Sequence, residues 1–144
     1  MLDLSLHQML ELRAPASRYV RRPARTGTEA IAADLRRAKL QRLELGGSPR
    51  VLDLFAGCGG MSLGFLAAGF SISGAVEIDP TAAESHAINF HGAATAHLRA
   101  KHALARDITA TPAWLLSHDL EFGAPSGCVD VLVVGPPCQA FAPS

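Results

Sequence analysis

Residues 49–144 predict an α/β fold with a doubly wound, mostly parallel sheet, and three observations lead there. Short apolar segments alternate with helical ones from Pro49 onward. The first of them runs into a turn dense in glycine, Ala56-Gly57-Cys58-Gly59-Gly60. The most apolar stretch, residues 129–134, reads as a buried strand. In sheets of this kind, ligands sit at the carboxyl ends of the strands.

Each element has its own signal. Residues 2–13 predict an amphipathic helix with Leu2, Leu6, Met9 and Leu10 on one side, closed by Pro15. Residues 14–25 carry Pro15, Pro23, Arg18, Arg21, Arg22 and Arg25 and read as a basic linker. Thr26 and Glu29 form a capping box that opens a helix to about Leu45. Ile31, Leu35 and Ala38 supply its apolar stripe, and Gly46-Gly47 stops it. Residues 1–48 are therefore expected to be a helical, basic N-terminal extension. Strands follow at 51–55 and 70–78, with a helix at 61–68 between them that Gly69 ends. Asp79 caps a helix over 80–90 with Pro80 in its first turn. A third strand is expected near 103–108, a helix over 112–120 and a last strand over 129–134.

A chain of 144 residues, 49% apolar, can bury the core of one domain. No apolar run approaches the ~20 residues of a membrane helix. Asp3 and Glu11 stand where a secretory signal would be apolar. Three cysteines without CxxC spacing argue against a disulfide framework or a zinc site, and for a reducing compartment. His86 and His91 read as surface or core residues rather than ligands. Net charge is zero but uneven. Residues 1–50 hold ten Lys/Arg against five Asp/Glu, and residues 51–144 hold three against eight. The basic part can meet nucleic-acid phosphates, although solvated helix faces are the commoner reason for such charge. The acidic part suits a cationic small molecule.

Four segments carry chemistry. A glycine turn after a strand lets backbone approach a ligand closely, and the helix that follows offers unpaired N–H groups. Nicotinamide-binding folds use a similar turn, but Ser62 stands where their third glycine would be, and Asp53 is acidic where a pyrophosphate would lie. Glu77, about 20 residues beyond the turn, can accept hydrogen bonds from ribose hydroxyls, and Ile78 can lie against adenine. Asp107 can accept the adenine amine, with Ile108 as an apolar contact. In Gly135-Pro136-Pro137-Cys138-Gln139-Ala140-Phe141 two prolines stiffen the loop, so Cys138 is held ready to attack. Cys58 and Cys128 read instead as small buried apolar cysteines.

Together these segments resemble the DNA cytosine-C5 methyltransferase family: DLFAGCGGMSLGF at 53–65, EID at 77–79, DI at 107–108 and GPPCQAF at 135–141. The resemblance covers about residues 49–144, and the first and last segments are the specific ones. It implies a partial catalytic domain of the class I S-adenosylmethionine-dependent methyltransferase type. S-adenosylmethionine would be bound by Asp53, Phe55, Ala56, Gly57, Cys58, Gly59, Gly60, Glu77, Ile78, Asp107, Ile108 and Pro137, with Cys138 as nucleophile. The implied reaction is methyl transfer to C5 of cytosine in double-stranded DNA, through a cysteine adduct at C6 of a flipped-out base. A prokaryotic restriction–modification setting, on DNA in the cytoplasm, follows from the same resemblance. A tRNA cytosine-C5 methyltransferase, or an inactive remnant that at most binds cofactor, is the alternative.

The family also uses a glutamate that protonates N3, an arginine-bearing strand and a recognition region, none of which this sequence contains. The expectation is an N-terminal half, poorly soluble and inactive alone, that a second polypeptide carrying the missing motifs would rescue. The strand at 129–134 should then pair with 51–55 on one side and leave its other side bare.

Overall fold

The protein is described by a computed structural model over residues 26–136. Its elements are α1 (Thr26–Glu44), β1 (Arg50–Leu54), α2 (Gly60–Ala67), β2 (Ser71–Val76), α3 (Pro80–His91), α4 (Ala96–His102), α5 (Ala113–Asp119) and β3 (Val131–Val134). The expected helix at 2–13, the basic linker, Pro137 and Cys138 lie outside the described residues.

The three strands form one parallel sheet in the order β2-β1-β3. β3 is mostly valine, and Val51, Ile72 and Val76 are the β-branched residues of the other two strands, as suits half-buried pleated surfaces. Side chains alternate across β1 and so address two layers. Leu52 joins Val76, Leu116 and Leu120 in a core cluster on the α5 side, with Leu54, Ile108, Phe122 and Val129 packed against it. Val51 and Asp53 point the other way, toward the layer where Ser62 of α2 and His86 of α3 are buried. Helices on both faces of a small parallel sheet make an α/β architecture preceded by an N-terminal helix. In β2 the register slips between Val51↔Ile72 and Leu52↔Gly74. Gly74 then lies so close to the α5 layer that a Cβ would stand 2.8 Å from Phe122 and 2.9 Å from Leu120.

The expected third strand does not form. Residues 96–102 are instead the helix α4, for which the sequence offered no expectation, and 103–108 turn away from it. Arg106 accounts for the difference. Its guanidinium donates to the Lys101 and Leu104 carbonyls at 2.8 and 3.1 Å, satisfying the C-terminal end of α4. Only one strand-like bond survives, from Arg106 N–H to the Glu77 carbonyl at 2.6 Å.

The helix α1 matches its expected span, but its attachment differs from expectation. Ile31 is 64% exposed and Ala38 is exposed, so of the expected apolar stripe only Leu35 is half-buried, beside Gly127. Cations supply the polar attachment. Lys39 donates to the Val129 carbonyl, and Arg42 pairs with Asp130 and donates to the Ser48 carbonyl at 2.8 Å. Arg50 adds its backbone N–H and side chain to the same carboxylate, at 2.8 to 3.2 Å. Burial pushes the Asp130 carboxyl up, but the Arg50 hydrogen bonds and the nearby arginines bring it below its ordinary range.

β3 pairs with β1 alone among the described residues, with Leu132 59% and Val134 55% exposed.

Candidate functional site

At the carboxyl end of β1 the chain takes three left-handed residues: Phe55 (φ 64°), Gly57 (φ 54°) and Gly59 (φ 98°). Glycine adopts this region freely, whereas a bulky residue such as Phe55 costs about 1–3 kcal/mol there. The surroundings hold the turn in place. The Phe55 and Ala56 N–H groups both donate to the Val76 carbonyl, at 2.9 and 3.2 Å. The Gly57 N–H donates to Glu77 Oε2 at 2.7 Å, while Oε1 of the same carboxylate accepts the Asp79 N–H at 2.9 Å. Asp79 also caps α3, accepting the Ala82 N–H at 2.7 Å.

Four segments meet along this edge. The bond from Arg106 to the Glu77 carbonyl brings Asp107 beside the end of β2, and the Gly135 N–H reaches the Leu54 carbonyl at 3.4 Å. Arg106 is 7% exposed and bonds Asp119 at 3.2 Å, so the Asp107 turn is fixed from behind. Asp107 itself is exposed and accepts both the Thr109 N–H and its hydroxyl, at 2.8 and 2.7 Å. Those bonds hold its carboxyl below the usual carboxylate range.

The structure thus brings Phe55, Gly57, Glu77 and Asp107 to one edge, with Ile78 beside Glu77 and 65% exposed. Other expected residues sit differently. Asp53 is 1% exposed, and its carboxylate is engaged inside the protein by the Ser62 hydroxyl at 2.8 Å. Ile108 packs into the core cluster, and Ala56 is buried. Gly60 opens α2. Cys58 is exposed at the tip of the turn, contrary to its expected burial, whereas Cys128 is buried with its thiol 3.2 Å from the Pro125 carbonyl.

Beneath the turn lies a network that sequence reading missed. Ser62 is fully buried, and its Oγ lies 3.0 Å from His86 Nε2. Because that hydroxyl donates to Asp53, it receives its second hydrogen bond from the His86 N–H. Burial raises the Asp53 carboxyl, against the lowering effect of the Ser62 bonds. Burial also lowers His86 to about 4, with His102 adding to the shift. The available signal was an acid inside a strand nine positions before a serine in the first turn of a helix. The described residues contain no cluster of histidine, cysteine and carboxylates fit for a metal ion, and no helix long and apolar enough to cross a membrane.

Residues 49–144 match the family model described as C-5 cytosine-specific DNA methylase. The chain belongs to that family. A putative type II methyltransferase of Oceanobacillus iheyensis is 40% identical over 95 residues, which is 65% of this chain and 19% of that protein. A type II methyltransferase of Xanthomonas oryzae is 37% identical over 94 residues, 65% of this chain and 20% of its own length. A Picosynechococcus type II methyltransferase is 31% identical over 93 residues, covering 65% and 34%. This family member therefore spans about a fifth to a third of the length of these relatives. No solved structure matches it.

Proposed function

We propose that this chain supplies the cofactor-binding and nucleophile-bearing part of an enzyme that methylates C5 of cytosine in DNA. What supports the cofactor site is the meeting of the strained turn at 55–59, the Glu77 carboxylate and the Asp107 turn at one sheet edge. The residues fit S-adenosylmethionine: Glu77 is partly exposed with room to accept ribose hydroxyls, Ile78 offers an uncovered apolar surface, and Asp107 is an ionised acceptor. Phe55, Gly57, Gly59 and Gly60 would contribute backbone and ring, with Pro137 completing the set. When bound, that cofactor supplies an electrophilic methyl group.

Cys138 acts on the base. Its thiolate adds to C6 of a cytosine turned out of the duplex, which makes C5 nucleophilic. Once C5 carries the methyl group, loss of the C5 proton and elimination of the Cys138 sulfur restore the ring. Residues 49–144 form part of the catalytic domain, and further strands, from the same or a second polypeptide, would cover the bare side of β3. Type II methyltransferases among the relatives favour a restriction–modification role on DNA in a prokaryotic cytoplasm.

The test uses the complete protein, with any partner polypeptide, and duplex DNA carrying 5-fluorocytosine. A covalent adduct should form with Cys138 present and vanish with Cys138→Ser, which should also lose all turnover. An adduct on Cys58 or Cys128, or turnover by the serine variant, contradicts the mechanism. Preference for a nicotinamide dinucleotide contradicts the cofactor.

A further inference from the structure

The glycine turn rests on α3 as well as on the sheet. A Cβ at Gly59 would lie 2.2 Å from Phe90 Cε2 and 3.0 Å from His86 Cδ2, so these two rings touch the turn where it crosses into α2. The rings pack together with centroids 4.6 Å apart. Three positions farther along the chain, Ser62 is locked between Asp53 at 2.8 Å and His86 at 3.0 Å. All three polar side chains are at most 1% exposed. On its upper side the turn is tied at Gly57 to Glu77, only nine residues before His86 and on the same β2–α3 segment. One segment therefore grips the turn from both sides.

We infer that His86 and Ser62 are positioning residues for the cofactor: the His86–Ser62–Asp53 chain sets the height and tilt of the glycine turn against Glu77. This inference rests on the cofactor site proposed above. A backbone turn that must approach a ligand within van der Waals contact tolerates little drift, which is why glycine is used where close backbone approach is needed. Gly57 to Gly60 have no side chains, apart from Cys58, to anchor them. Their placement depends on neighbours, and His86 is the neighbour that both touches Gly59 and bonds the first turn of α2. Glutamine can replace its N–H donor toward Ser62, whereas leucine cannot.

Calorimetric titration of the full-length protein with S-adenosylhomocysteine tests this, using wild type, Ser62→Ala, His86→Leu and His86→Gln, each held well below its melting temperature. Ser62→Ala and His86→Leu should each raise Kd roughly tenfold, the size expected for one lost buried hydrogen bond. His86→Gln should restore Kd to within about threefold of wild type. The double variant Ser62→Ala/His86→Leu should cost less than the sum of the two, because both remove the same link. Ser62→Ala removes a single hydroxyl, so it supplies the answer if His86→Leu does not fold. A purely structural role would lower the melting temperature and leave Kd of the folded variants unchanged, and that outcome overturns the inference. Wild type that binds no S-adenosylhomocysteine would instead overturn the cofactor site itself.

Discussion

Lowering the pH from about 7.5 to about 5 should destabilise the fold through the histidines shared by α3 and α4, before most carboxylates titrate. His86 is 1% and His102 7% exposed, and the His91 and His102 rings stack 3.5 Å apart at 8°. His91 Nε2 and His102 Nδ1 are buried without hydrogen-bond partners. Burial first, and neighbouring histidines second, lower all three from 6.5 to about 4. The unfolded chain takes up protons below pH 6.5, while the folded protein resists until about 4, so stability falls as pH drops through that window. At pH 5 an unfolded histidine is almost fully charged and the folded one is about one-tenth charged, a difference of about 2 kcal/mol for each of His86 and His102. About 4 kcal/mol together is a large part of the 5–15 kcal/mol typical of a domain.

Carboxylates do not all act in one direction. Asp119 and Asp130 lie below 3.8, so they stabilise the fold above that value and lose the contribution as pH falls further. Asp53 is raised by burial, so its protonation favours the folded state on acidification. Urea unfolding followed by circular dichroism at stepped pH measures the sum. The midpoint should fall steadily between about pH 6.5 and 5 with an unchanged m value. His102→Gln should flatten the slope. A flat profile down to pH 5, or a slope indifferent to His102, would refute the reasoning.

Gly59→Ala forces a Cβ within 2.2 Å of the Phe90 ring at φ 98°, so we expect a loss of about 2–5 kcal/mol of stability, read from urea midpoints, together with loss of S-adenosylhomocysteine binding. Asp130→Asn leaves the Arg42 and Arg50 guanidinium groups without their common partner, and should cost about 1–3 kcal/mol with proteolysis appearing first in α1. Glu77→Ala removes the acceptor of the Gly57 N–H and the proposed ribose ligand; calorimetry should show cofactor binding weaker by about 1–3 kcal/mol, and unchanged affinity would remove Glu77 from the site.

The sheet was readable because its signals are local. Val51, Ile72, Val76 and Val133 are β-formers in short runs, each ended by glycine, proline or an acid, and the alternation of the apolar residues already assigns the two faces. The cap at Asp79 was readable for the same reason, since Pro80 follows it and both its bonds are made within three residues. Residues 103–108 failed that reading. Their apolar pattern suits a strand, but the side chain of Arg106 reaches back two and five residues to close α4 and sideways to Asp119. A long polar side chain that satisfies backbone carbonyls leaves no trace in hydrophobic periodicity.

The same distinction separates the parts of the site. Glu77 and the glycines announced themselves by residue type and spacing, and the structure places both at the sheet edge. Asp53 announced itself equally clearly, yet its carboxylate is buried on the face of β1 that Val51 shares, toward the helix layer, while Phe55 lies beyond the strand in the left-handed turn. Its partner is Ser62, whose departure from a glycine pattern first counted only as evidence against a dinucleotide. Read together, the two residues describe one device: a buried acid fixes a buried hydroxyl, and that hydroxyl fixes the start of the helix that carries the turn. His86 completes it from 24 residues away, a separation at which neither spacing nor periodicity carries information. Side chains that a ligand touches are thus selected for types that motifs record, whereas those that hold the turn are selected for geometry, which becomes visible only once β1, α2 and α3 are packed.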